Sequence, residues 1–231
     1  MTLNPSDWQA IALTLKLALV VTVLLLVLGT LLAFWFAGSK TWYKGFVESL
    51  VSLPLVLPPT VLGFYLLIAL GPEGVIGQMT QKLGIGLLPF SFSGLVFASV
   101  VYSLPFVIRP IQNSIEAIGT RPMEVAATLG SSPWDSFFSV VLPMSRPGLM
   151  TAFILGFAHT LGEFGVVLMI GGNIPGVTRV ISVHIYDQVE ALEYGRAHWL
   201  SALMVVFSFV TLVLLHFINR NQHKGSNSYG F

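Results

Sequence analysis

The sequence predicts an all-α integral membrane protein of about five transmembrane helices, built as one domain over residues 1–231. Three observations carry that expectation. Hydrophobic residues make up 55% of the chain and charged ones 9%, with a mean hydropathy of +0.83, whereas soluble globular proteins carry roughly 25% charge. Five apolar stretches have about the 20 residues that a helix needs to cross a bilayer. Between the third and fourth lies a polar, amphipathic segment, Arg121 to Gly148. The net charge of +1 argues against nucleic acid as a partner. The absence of cysteine excludes disulfides and cysteine-ligated metal. No cleavable signal peptide is expected, because the N-terminus lacks a basic region and its first apolar run is too long.

Thr2 to Trp8 reads as a short polar lead, with Trp8 suited to the membrane interface. The first span covers about 10–36 and includes the unbroken run Leu17 to Leu28; Lys16, near its start, can snorkel. Gly38 to Lys44 is a basic turn. The second span, about 46–70, contains Leu53-Pro54-Leu55-Val56-Leu57-Pro58-Pro59-Thr60. Each proline removes an N–H and clashes with the carbonyl one turn back. Lipid cannot satisfy the freed carbonyls, so this stretch must face protein or a water-lined cavity. It is either a kink for packing or a bent helix lining a translocation path, which makes Pro54, Pro58, Pro59 and Thr60 pathway or interface candidates. Gly71 to Phe92 is a glycine-bearing loop. The third span, about 93–111, holds Pro105, and Arg109-Pro110 marks its exit. The fourth covers about 148–170 and ends in a turn cluster, Gly171 to Gly176. Val177 to His198 is a polar loop with an amphipathic stretch around Val180 to Val189. The fifth span is about 199–218, followed by a polar tail from Asn219.

In the interposed segment, Pro122 to Leu129 reads as a short helix with proline tolerated at its start. Gly130 ends it as a C-cap glycine does, with a positive backbone angle expected there. Ser132 offers a second N-cap, with Pro133 at the first helical position and Asp135 in the first turn. Phe137, Phe138, Val140 and Val141 give that second helix an apolar face. Two short helices meeting at a glycine form an elbow suited to docking in a cleft of another protein. If the elbow is cytoplasmic, that side collects Lys40, Lys44, Arg109, Arg121, Arg146, Arg220 and Lys224, against Lys82, Arg179 and Arg196 outside. This bias puts the N-terminus outside and the C-terminus inside.

The run Glu124-Val125-Ala126-Ala127, then Gly130, then Leu142-Pro143 resembles the EAA loop of type I ABC importer permeases. Val125 stands where that family more often has alanine. The resemblance implies that Glu124, Ala126, Ala127, Gly130, Leu142 and Pro143 belong to a cytoplasmic coupling-helix loop (121–148) that fits a groove on a separate ATPase subunit. It also implies two copies of that ATPase, which hold the ATP and magnesium, a second permease copy, and an extracytoplasmic oxyanion-binding protein. The setting implied is a bacterial or archaeal cytoplasmic membrane, with no cofactor bound by this chain. The proline-rich second span and the segment Gly162-Glu163-Phe164-Gly165 to Asn173-Ile174-Pro175-Gly176, Thr178 and Ile185-Tyr186-Asp187 look most like the molybdate branch. A tungstate or sulfate permease is the alternative within the family.

The fourth span carries a carboxylate well inside it, in Phe157-Ala158-His159-Thr160-Leu161-Gly162-Glu163. A charge at that depth costs about 3 kcal/mol or more on insertion scales. His159 and Glu163 are four apart, on one helix face, and can form a hydrogen-bonded pair. Gly162 and Gly165 allow close helix approach. His159, Thr160, Gly162 and Glu163 are therefore pathway or interface candidates. Three roles stay open for the pair: structural, part of the pathway or its gate, or a metal or proton-relay site. No catalytic or metal site is predicted. Gly38-Ser39-Lys40-Thr41 lacks the glycines of a phosphate loop, and neither H-E-x-x-H nor G-x-S-x-G occurs. His184, His198, His216 and His223 are scattered and read as lone satisfied or solvated side chains. An ion-coupled secondary transporter, the reading from another class, is disfavoured by five spans without an inverted repeat.

Overall fold

The computed structural model describes residues 4–39 and 41–226, and among these every regular element is helical. Helix α1 runs Pro5–Gly38. Proline suits its first position, and the Asn4 N–H donates to Asp7 Oδ2 at 2.8 Å. From Pro5 onward, then, the polar lead is already helix. Helix α2 (Lys44–Ser52) passes through a 3-10 turn (Leu53–Leu55) and is followed by α3 (Pro59–Leu70). The axis turns by 111° between them. The expected second span is thus a sharp corner rather than one bent helix. The Pro58-Pro59 pair causes it: Pro59 forces extended backbone on Pro58 (ψ 135°), and neither supplies an N–H to continue a ladder.

Helix α4 (Val75–Lys82) lies inside the expected loop. Helix α5 (Phe92–Ile118) starts with the Gly94 N–H on Ser91 Oγ at 3.1 Å. Helix α5 does not end at Arg109-Pro110 but continues through both Pro105 and Pro110 to Ile118. A proline removes one N–H, and the turns beyond Pro110 are pinned from the side. Gln112 Nε2 donates to Glu48 Oε1 at 3.0 Å and to Glu116 Oε1 at 2.9 Å. The elbow follows as α6 (Arg121–Thr128), α7 (Pro133–Ser136), a π turn (Phe137–Val141) and α8 (Leu142–Met144). Helix α9 (Arg146–Gly162) and α10 (Gly165–Gly171) replace the single fourth span. Then come α11 (Ile181–Glu190) and α12 (Tyr194–Ser226). Three described helices are long and apolar enough to cross a membrane, and five if each of two bent pairs is one span.

The core is α1, α5 and α9, joined through Leu17, Val21 and Leu25, Val107, Ile108 and Ile111, and Ala152. Glycines set how closely these helices pack. A methyl group on Gly156 would lie 2.6 Å from Val107 Cγ2, and one on Gly148 would lie 2.4 Å from Ser114 Cβ. Close approach of this kind raises van der Waals contact where lipid removes the hydrophobic drive between helices. Helix α10 wedges between α3 and α5, with Gly165 against Pro59 and Gly63 against Met169. Helix α11 is tied to α1 by His184 Nε2 on Asp7 Oδ1 at 2.8 Å and by the Ile181 N–H on Thr14 Oγ1 at 2.8 Å. The outer face of α12 leaves Val205, Val206, Phe209 and Leu212 exposed, apolar surface suited to lipid.

Candidate functional site

Glu163 does not continue α9. It sits just beyond its last residue with extended backbone (ψ 132°), and Phe164 turns the chain into α10. No proline explains the break; tertiary contacts hold it. The Ser182 hydroxyl donates to the Glu163 carbonyl, and Gly165 accommodates Pro59.

The Glu163 side chain has no exposure. Ser99 Oγ donates to its Oε2 and Ser103 Oγ to its Oε1, both at 2.5 Å. His159 Nδ1 stands 3.6 Å from Glu163 Oε1, too far for a hydrogen bond. The expected direct pair is therefore replaced by a bridge, because Ser103 Oγ lies 2.9 Å from His159 Nδ1. Proton counting sets the roles when Glu163 is ionised. Ser103 has one hydroxyl proton and gives it to Glu163, so His159 donates its Nδ1–H to Ser103. Thr160 Oγ1, 3.2 Å from Ser103 Oγ, completes the network. A buried carboxylate with two hydroxyl donors meets the requirement that buried charges be hydrogen-bonded. No group of three or more metal-ligating side chains occurs among the described residues.

A cleft of about 460 Å³ lies over this network, and its lining includes Pro59, Thr60, His159, Gly162, Glu163 and Tyr102. Five of the eight pathway or interface candidates thus meet at one place. Thr160 lies just beneath it, while Pro54 is buried in the 3-10 turn and Pro58 caps α3 outside it. Gly162 faces open space in this chain, so it brings no helix close here; Gly165 does. The residues missed from sequence are Ser99, Tyr102, Ser103 and Phe106 on α5. A signal was present, as two serines four apart in an apolar span share one helix face. The Phe106 ring stacks on His159 with centroids 3.7 Å apart, and Tyr102 lies 4.8 Å from it.

The elbow follows its local code. Gly130 has φ +85°. Its N–H bonds the Ala127 carbonyl and the Ser131 N–H bonds the Ala126 carbonyl, each at 3.0 Å, the Schellman pattern. The Asp135 N–H bonds Ser132 Oγ at 3.2 Å. One detail differs. Phe137 and Val141 are buried but Phe138 is 60% exposed. The π turn has more residues per turn than an α-helix. It therefore aligns residues 137 and 141 and swings Phe138 away. Pro143, unable to donate or to fit against the carbonyl one turn back, favours that widening. Phe137 packs on Phe34 of α1, centroids 4.7 Å apart, anchoring the elbow to the core. Leu142 packs against the same core. Glu124, Ala127, Gly130 and Pro143 are exposed and Ala126 is half-buried. Around them Val125, Leu129, Trp134 and Phe138 leave an apolar patch uncovered, with Leu129 82% exposed.

Residues 25–225 match the family model described as binding-protein-dependent transport system inner membrane component. The chain belongs to this permease family. It is 62% identical over 216 residues to the molybdenum transport system permease protein ModB of Azotobacter vinelandii, covering 94% of this chain and 96% of that one. It is 37% identical over 194 residues to ModB of Haemophilus influenzae, covering 82% and 84%. It is 32% identical over 213 residues to the probable sulfate transport system permease protein cysT of Chlorella vulgaris, covering 92% and 80%. Its fold matches a bacterial ABC transporter involved in alginate import, with a TM-score of 0.72 and 20% identity over 96% of this chain and 80% of that one. A bacterial alginate ABC transporter in complex with an alginate pentasaccharide-bound periplasmic protein gives a TM-score of 0.71 at 21% identity, over 94% and 78%. The permease is a multi-pass membrane subunit of an ABC importer.

Proposed function

We propose that this permease forms the path for molybdate in an ATP-driven importer. The observation that carries the reading is 62% identity to a molybdenum permease across nearly the full length of both chains; the sulfate relative is half as similar, at 32%. Two permease copies join two copies of an ATPase subunit, which bind the ATP and magnesium. The exposed apolar patch of the elbow docks on that ATPase, with Glu124, Ala126, Ala127 and Gly130 at the contact and Leu142-Pro143 at the hinge back to the core. An extracytoplasmic binding protein delivers the oxyanion to the opposite face. The bias of Lys and Arg supports the elbow and C-terminus inside and the N-terminus outside.

In this reading the Ser99–Ser103–Glu163 network is structural. It locks the end of α9 to α5 and shapes the floor of the cleft, while Thr60 and Gly162 face the open side. The test is uptake of labelled molybdate into proteoliposomes holding the assembled complex, with tungstate and sulfate as competitors. Molybdate and tungstate should compete and sulfate should not. Transport of sulfate undiminished by excess molybdate would overturn the substrate assignment.

A further inference from the structure

A second cavity, about 1180 Å³, lies between α5 and α9 on the elbow side of the cleft. On α5, Tyr102, Phe106, Arg109 and Asn113 recur at spacings of three and four, so they share one helix face. On α9, Gly148, Thr151, Leu155, His159 and Gly162 do the same. The cleft opens at the Tyr102 and Gly162 end of this shared stripe, and the second cavity at the Asn113 and Gly148 end. Phe106 lines the second cavity and His159 lines the cleft. Their rings stack, with centroids 3.7 Å apart, so this pair stands between the two cavities.

Arg109 lines the chamber on the elbow side, one turn beyond Phe106, and no other Lys or Arg lines either chamber among the described residues. Its Nη2 donates to Ser52 Oγ at 2.7 Å. No carboxylate among the described residues lies within ion-pair distance of it. Ser52 holds the guanidinium from one side, and neutral Asn113 and Ser114 stand along the same chamber. An unneutralised cation in an otherwise largely apolar groove attracts an anion. A planar guanidinium also matches the paired oxygens of a tetrahedral oxyanion.

Resting on the reading that this chain carries an oxyanion, we infer that the elbow-side chamber is a station for the tetrahedral dianion after it passes the Phe106–His159 pair, with Arg109 as the recognising cation. The binding protein sets capture, so loss of Arg109 acts on passage rather than on half-saturation.

The experiment uses the complete complex in proteoliposomes. Arg109→Gln should lower maximal molybdate uptake per assembled complex about tenfold or more, the worth of one charge-assisted hydrogen bond. Half-saturation should stay near that of the parent, and Arg109→Lys should keep much of the flux. The chain has no cysteine, so Asn113→Cys gives a single reporter thiol in the chamber. An anionic methanethiosulfonate should modify it faster than a cationic one, molybdate should protect it, and Arg109→Gln should remove the preference. Protection by molybdate is read with Arg109 present, so it decides the matter even if Arg109→Gln does not assemble. Parental uptake in Arg109→Gln, or no protection of the thiol, overturns the inference. A parent complex that takes up no molybdate overturns the transport reading as well.

Discussion

Replacing Glu163 separates a structural carboxylate from one that works in the pathway. In Glu163→Ala the two serine hydroxyls at 2.5 Å lose their acceptor inside a buried site. A buried donor left without a partner costs about 1–3 kcal/mol, so two give roughly 2–6 kcal/mol. The lower part of that range applies if Ser99 and Ser103 turn back to carbonyls of their own helix. In Glu163→Gln the shape and one acceptor oxygen remain. The amide group then faces a serine oxygen that can rotate to accept. What is lost is charge assistance, about 1 kcal/mol for each bond. Glu163→Ala should therefore reduce intact complex in detergent well below Glu163→Gln, and Glu163→Gln should transport near normally once uptake is normalised to complex. Equal yields for the two variants with uptake abolished in both would refute the reasoning and place the carboxylate in the pathway.

Gly130→Asp should insert and assemble, since no atom of this chain lies within 4 Å of the added Cβ and a left-handed conformation costs a non-glycine residue about 1–2 kcal/mol. Its effect should fall on the ATPase contact, as hydrolysis uncoupled from uptake; normal uptake with normal substrate-stimulated hydrolysis would remove Gly130 from that contact. A reporter fused after Lys224 should be active only as a cytoplasmic reporter, and periplasmic activity would reverse the proposed orientation. Asp7→Ala leaves His184, 1% exposed, without its partner. Leaving a buried hydrogen-bonding group without its partner costs about 1–3 kcal/mol, so the variant should lose thermal stability in detergent, and an unchanged melting temperature would show the pair to be dispensable.

The parts of this fold that could be read from sequence are the parts that local chemistry decides. The elbow is the clearest case. Gly130 at a left-handed C-cap, Ser132 bonding Asp135 and Pro133 at a first helical position all depend on neighbours within six residues. The apolar core of α1 is similarly legible, since hydropathy needs no tertiary information. Proline is legible in the sequence as a disruption, but the degree of that disruption is not. Pro58-Pro59 turns the chain through 111°, while Pro105 and Pro110 are absorbed within α5. The difference is that Pro58 and Pro59 are adjacent, which forces extended backbone, whereas each α5 proline interrupts one bond in a helix held on both sides by α1 and α9.

The site is less legible because it is made by distant residues. Ser103 lies 60 positions before Glu163, and Ser182 lies 19 after it. Spacing alone made His159 and Glu163 partners, since an uninterrupted helix would stack them. The break at Phe164 carries no proline to announce it, and only the packing of Pro59 on Gly165 and the bond from Ser182 show why it persists. The break also changes what a carboxylate here can mean. In a continuous span, Glu163 would face lipid, a partner helix or a channel. At a helix end, its carbonyl is held by α11 and its carboxylate by α5, so one residue ties three segments together. The candidates that line the cleft without such ties, Thr60 and Gly162, are the ones left free to meet whatever passes through it.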